Sequence, residues 1–135
     1  MPKTIMIVED DEIARVGLAT ILQAHGYRTM TAAQGHEALD QLQTGLCPDL
    51  ILLDMLLPEC DGWEFCAQRR HRPTVALVPV VIMTGVGEAN DEWAKSLGAV
   101  ALLRKPLDVL ELLETIRRIT GGTGRSPRAT QQFPT

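Results

Sequence analysis

Apolar residues in this chain fall in short runs, and between the runs they recur at wider spacing. Runs rich in β-branched residues and leucine occur at Thr4 to Val8, Asp49 to Leu53, Val78 to Met83 and Val100 to Leu103, with a weaker one at Arg28 to Ala32. Each predicts a strand, because such residues pack well on a pleated surface and the runs are too short for helices. The intervening segments place Ile13, Val16, Leu18 and Ile21 after the first run, and Val109, Leu112, Leu113 and Ile116 after the last. These predict amphipathic helices. His25 and Gly26 follow the first helix, Gly45 the second and Gly98 the fourth, where a left-handed residue commonly ends a helix. The third helix is expected to open at Asp61 and Gly62.

Five strands alternating with five helices imply a parallel sheet covered on both faces. The uninterrupted Ile51, Leu52, Leu53 suits a buried central strand. The expected fold class is therefore α/β, a doubly wound five-stranded parallel sheet with five helices. No internal repeat is visible. Residues 121–135, rich in Gly, Thr, Pro and Gln, read as a flexible tail or linker stub, which leaves 1–120 as one domain.

Composition supports one core. The chain has 135 residues, of which 45% are apolar and 22% charged, inside the globular range. Its formal net charge is -4, and the tail adds Arg125 and Arg128 with no acid, so the domain itself is more acidic still. Neither a nucleic-acid surface nor an anionic-lipid anchor fits that balance. Cys47, Cys60 and Cys66 show no metal-binding spacing and read as reduced thiols. The segment before Glu9 does not read as a signal peptide, and the longest apolar stretch, Val75 to Met83, is about half a membrane span and contains Pro79. A soluble, cytoplasmic protein is expected.

The chemistry is concentrated at one place. In an open α/β sheet, ligands sit outside the carboxyl ends of the strands. Glu9, Asp10 and Asp11 follow the first strand, Asp54 the third, Thr84 the fourth, and Lys105 with Pro106 the fifth. Carboxylates gathered there repel, each pair at about 5 Å costing roughly 3 kcal/mol at an effective dielectric near 20. Lys105 offsets part of this, and a hard divalent cation such as Mg²⁺ (or Mn²⁺) would offset more. A carboxylate, a cation, a lysine and a hydroxyl together make a phosphoryl-transfer site, in which the carboxylate attacks and the cations and donors hold the phosphoryl oxygens.

These residues resemble the receiver domains of two-component response regulators over positions 4 to about 119. The motifs are Val8-Glu9-Asp10-Asp11, Leu52-Leu53-Asp54-Met55 with Pro58 and Asp61-Gly62, Met83-Thr84-Gly85, and Lys105-Pro106. The resemblance implies a flavodoxin-like strand order 2-1-3-4-5. It implies that Asp54 is the phosphoacceptor, and that Asp10 assisted by Glu9, Asp54 and the main-chain carbonyl of Leu56 hold the metal. It implies that Thr84 donates its hydroxyl to the phosphoryl group while Lys105 ion-pairs with it, and that the Lys105-Pro106 peptide is cis. Leu56 and Val86 are expected to flank the acyl phosphate and set the dephosphorylation rate. One position departs from the family pattern: many receivers carry an aromatic switch residue three before the lysine, and this chain has Leu102.

The implied function is a phosphorelay switch that takes a phosphoryl group from a histidine kinase or phosphotransfer protein and changes its binding to a downstream protein. It would catalyse only its own phosphorylation and dephosphorylation. With no output domain in 1–120, the readout is expected to be a partner protein, unless the chain was cut from a longer one near Gly121 to Gly124. Direct contact with nucleic acid or membrane is not expected. Two alternatives compete. A receiver-like interaction module without phosphate turnover would not need Asp10, Asp54, Thr84 and Lys105. Phosphatases of the haloacid-dehalogenase class need a second Asp two residues after the nucleophile, where this chain has Leu56, and a cap domain for which it has no room.

Simpler roles account for other residues. An acidic run such as Glu9 to Glu12 also suits a helix N-terminus. His25, His36 and His71 read as surface residues, and Arg69, Arg70 and Arg72 as a solvated helix end. Trp63 and Phe65 read as core, while Trp93 is open between core and partner contact. Thr84-Gly85-Val86-Gly87 fails as a dinucleotide fingerprint, since Asn90 stands at the third glycine position.

Overall fold

The computed structural model describes residues 2–54, 60–85, 87 and 89–121, with residues 60–63 described by backbone alone. Strands β1 (Thr4–Val8), β2 (Arg28–Ala32), β3 (Leu50–Asp54), β4 (Val80–Thr84) and β5 (Ala101–Arg104) alternate with helices. The helices are α1 (Glu12–Ala24), α2 (Gly35–Gln43), α3 (Cys60–Arg70), α4 (Pro73–Ala76), α5 (Asp91–Ser96) and α6 (Val109–Thr120). All strand pairs are parallel, and the order is β2-β1-β3-β4-β5. This is the doubly wound sheet that the alternating pattern predicts. Among the described residues, the one addition to five helices is α4, a single turn with Pro73 at its start, where a missing N–H costs nothing.

Strand alternation divides the core between two faces. Ile5, Ile7, Leu50, Leu52, Val81 and Met83 meet Leu18 and Leu22 of α1 and Leu112, Leu113 and Ile116 of α6. On the other face, Met6, Val8, Ile51, Leu53 and Ile82 meet residues of α2, α3 and α5, among them Leu39, Phe65 and Ala94. Residues Leu50 to Leu53 of β3 are therefore buried on both sides, as a central strand must be.

Two expectations need correction. On α1 the buried face is set by Leu18 and Leu22, whereas Ile13 is 84% and Val16 55% exposed. At about 100° per residue Val16 lies roughly 160° around the helix from Leu18, so the four apolar residues never formed one stripe. The arginines at the end of α3 are not a uniformly solvated end either. Arg69 is buried, and its Nη2 donates to the carbonyls of Ala76 at 3.0 Å and Val78 at 2.6 Å. Arg70 remains exposed and donates to the carbonyl of Ser96 at 2.9 Å. Gly98, with φ +88°, leaves room for this arrangement, since a Cβ there would lie 3.4 Å from Arg69 Nη1.

Phe65 is fully buried, and Trp93 is half-buried against the same core cluster. The side chain of Trp63 lies outside the described residues, as does that of Cys60. Cys47 is an exposed and Cys66 a buried free thiol, and all three histidines are exposed.

Candidate functional site

The carboxyl ends of β1, β3, β4 and β5 bring the predicted polar residues to one edge of the sheet. The β1–β2 pairing extends to Glu9, whose N–H donates to Ala32 O at 3.0 Å. The β4–β5 pairing extends to Lys105, whose N–H donates to Thr84 O at 2.8 Å. Each ladder thus carries its polar residue one step past the apolar strand, where the backbone is still held. The Lys105-Pro106 peptide that follows is cis.

Lys105 Nζ lies 3.0 Å from Glu9 Oε1 and 3.2 Å from Asp54 Oδ1. Carboxylate oxygens of Glu9, Asp10 and Asp54 all lie within 4.8 Å of one another. Glu9 is only 1% exposed, Thr84 is fully buried, and Asp10 faces solvent. Burial, together with the neighbouring Asp54, raises the Glu9 pKa above its ordinary value; the Lys105 ammonium and the Asp11 N–H pull the other way. Burial opposes the charge on Lys105, yet the hydrogen bond it donates to Glu9 and the charge of Asp54 outweigh it and raise the Lys105 pKa.

The acidic run divides its labour. Asp11 caps α1, its Oδ2 accepting from Ala14 N–H at 2.8 Å, and Glu12 sits in the first turn. Glu9 and Asp10 instead join Asp54. The helix-terminus reading therefore holds for Asp11 and Glu12, while Glu9 and Asp10 lie beside Asp54.

Three carboxylates against one ammonium leave excess negative charge, with hard oxygen donors on one open side. That donor set fits a divalent cation that keeps several waters, as Mg²⁺ does. Leu56, whose main-chain carbonyl is the implied further ligand, lies outside the described residues, as does Val86. Leu102 pairs with Ile82 and is half-buried against the α5-side core. The sequence reading missed Arg15, whose Nη1 donates to the carbonyls of Glu9 at 2.9 Å and Asp10 at 3.4 Å. An arginine one turn inside a helix that follows an acidic loop is the available signal, and it is weak without coordinates.

Comparison with known proteins gives a consistent picture. A family model described as the response regulator receiver domain matches residues 5–117. The polar-differentiation response regulator DivK of Brucella anthropi is 35% identical over 122 residues, covering 90% of this chain and 98% of that protein. A crystal structure of a putative response regulator from Chloroflexus aurantiacus superposes with a TM-score of 0.81 at 33% identity, covering 90% of this chain and 99% of that one. The receiver domain of a sensor histidine kinase from Pseudomonas aeruginosa superposes with a TM-score of 0.79 at 27% identity, covering 90% of this chain and 100% of the other. That structure has a magnesium ion coordinated in its active site cleft. Among the described residues, no helix is long and apolar enough to cross a membrane.

Proposed function

We infer the function of this chain from the premise that it belongs to the response regulator receiver domain family. Members of that family are signalling proteins of two-component systems. We propose that this one is a phosphoacceptor switch, in which Asp54 takes a phosphoryl group from a histidine kinase or phosphotransfer protein and the product binds a downstream protein differently. The observation that carries the proposal is the Lys105 ammonium held 3.0 Å from Glu9 and 3.2 Å from Asp54, beside the exposed Asp10.

In this reading an Asp54 carboxylate oxygen attacks phosphorus, the bond from phosphorus to the donor breaks, and the electron pair leaves with the donor. Lys105 then shifts its ion pair toward a phosphoryl oxygen, and Thr84 donates its hydroxyl to another. Glu9, Asp10 and Asp54, with the Leu56 carbonyl, would hold Mg²⁺ or Mn²⁺, which when bound neutralises charge between the acceptor and the incoming phosphoryl oxygens. Arg15 holds the carbonyl side of the Glu9–Asp10 loop while this happens. The chain would catalyse only its own phosphorylation and dephosphorylation. Residues 1–120 form the receiver in this proposal, with 121–135 a tail or linker, and the protein works in the cytoplasm.

The test is incubation with acetyl phosphate and Mg²⁺, followed by mass measurement. The parent should gain one phosphate mass, and Asp54→Asn should not. Loss of the gain on adding EDTA is expected as well. An equal gain in Asp54→Asn would show that the nucleophile lies elsewhere, and no gain in the parent would favour an interaction module without phosphate turnover.

A further inference from the structure

The side chain of Arg104 is not used by the switch as proposed, yet it links three parts of the fold. Alternation along β5 places Leu103 in the α1/α6-side core, and Leu102 and Arg104 on the face covered by α5. Arg104 pairs with Thr84 across β4 and β5, and its Nη2 donates to the carbonyl of Ala89. Ala89 is buried, and a buried carbonyl needs a donor. It also ends the connection that leaves Thr84 and stands just before Asn90. The Asn90 side chain caps α5 by accepting from Trp93 N–H at 2.8 Å, and its carbonyl accepts the first helical bond, from Ala94 N–H at 3.0 Å. One guanidinium, attached next to Lys105, therefore grips the backbone between Thr84 and the start of α5.

We propose that Arg104 is a positioning residue: it fixes the end of the Thr84 connection against β5, so that a shift of Thr84 made in donating its hydroxyl to a phosphoryl oxygen is passed to the first turn of α5. The second half of this inference rests on the reading of Thr84 given above; the first half does not. A guanidinium suits the task because it is always charged and presents several donors in a fixed plane. Lysine would reach the same region with a single point of charge, and methionine would keep the apolar stem without any donor.

Amide hydrogen exchange tests the first half without any phosphate. In Arg104→Met the Trp93 and Ala94 amides should exchange about fivefold faster than in the parent, with Arg104→Lys between the two. Leu113 in α6 should be unaffected, whereas a general loosening of the domain would speed it too. Parent-like exchange at Trp93 and Ala94 would overturn the positioning role. Fluorescence tests the second half, in a Trp63→Phe background where Trp93 is the only indole, with beryllofluoride and Mg²⁺ as the probe. The Trp93 response per bound beryllofluoride should fall at least about twofold in Arg104→Met and recover in part in Arg104→Lys. Equal responses would overturn transmission through Arg104. If the parent itself binds no beryllofluoride, the reading of Asp54 and Thr84 fails instead, and the exchange measurement still decides whether Arg104 positions the connection.

Discussion

Glu9 and Lys105 are 96 residues apart in sequence, and their side chains meet at 3.0 Å. The carboxylate is almost fully buried and the ammonium about one quarter exposed, so the pair is a partly desolvated ion pair that also neutralises part of the Asp54 charge. Removing the cation alone leaves a buried charge without its donor. Lys105→Met should therefore lower stability in EDTA by about 1–3 kcal/mol. Adding Glu9→Gln should restore much of the loss. Urea denaturation of the two single variants and the double variant measures this, and strictly additive effects would contradict a direct coupling.

Metal should relieve the same repulsion. A ligand at 100 times its dissociation constant stabilises by about 2.7 kcal/mol, so the melting temperature should rise with Mg²⁺. Asp54→Asn should raise the melting temperature in EDTA and flatten its Mg²⁺ dependence, because one of the three clustered carboxylates is gone. A parent whose melting temperature ignores Mg²⁺ would contradict the assignment of the cluster.

The raised pKa of Glu9 gives a signed pH dependence in the absence of metal. The folded state binds this proton more tightly than the unfolded state, whose value is near 4.5. The resulting stability is present below 4.5 and is lost as pH rises through the higher folded pKa. Relative to Glu9→Gln, the parent should thus lose stability as pH rises from 4.5 through that folded value, with Asp54 the neighbouring acid and Lys105 still charged. Lys105 contributes in a different window, its stabilisation being lost only as pH rises through a folded value above 10.5. Urea midpoints against pH for the two proteins, both in EDTA, check the sign.

In the proposed switch, Leu56 and Val86, two residues after Asp54 and Thr84 respectively, are expected to set signal lifetime. Neither can hydrogen-bond a water for attack on phosphorus, and positioned proton-transfer groups typically contribute roughly 10² to 10⁴ in rate. Phosphoprotein should decay at least about ten times more slowly in the parent than in Leu56→Asn with Val86→Glu. The measurement follows bound phosphate after the donor is removed, and equal decay would exclude these side chains from gating the water.

Most of the architecture was legible from patterning. The strands β1 and β2 occupy the residues predicted, while β3, β4 and β5 begin one or two residues later than their apolar runs. Apolarity marks what is buried, and Val78 is already buried two residues before the β3–β4 pairing starts at Val80. The candidate site was legible for the same reason: in a parallel sheet the residues just past each apolar run share one edge, so Glu9, Asp10, Asp54, Thr84 and Lys105 fall on that edge by the common direction of the strands.

The alternation of elements, the central position of β3 and the set of polar groups at the carboxyl edge follow from local periodicity along the chain. Which member of the acidic run lies against Lys105 and which caps α1, and which face of α1 is buried, depend on how the distant elements pack. The same packing buries Arg69 against the carbonyls of Ala76 and Val78, and lets Arg15 and Arg104 grip backbone carbonyls near the site. An arginine's partners are fixed by where distant backbone carbonyls come to rest, and no spacing along the chain encodes that.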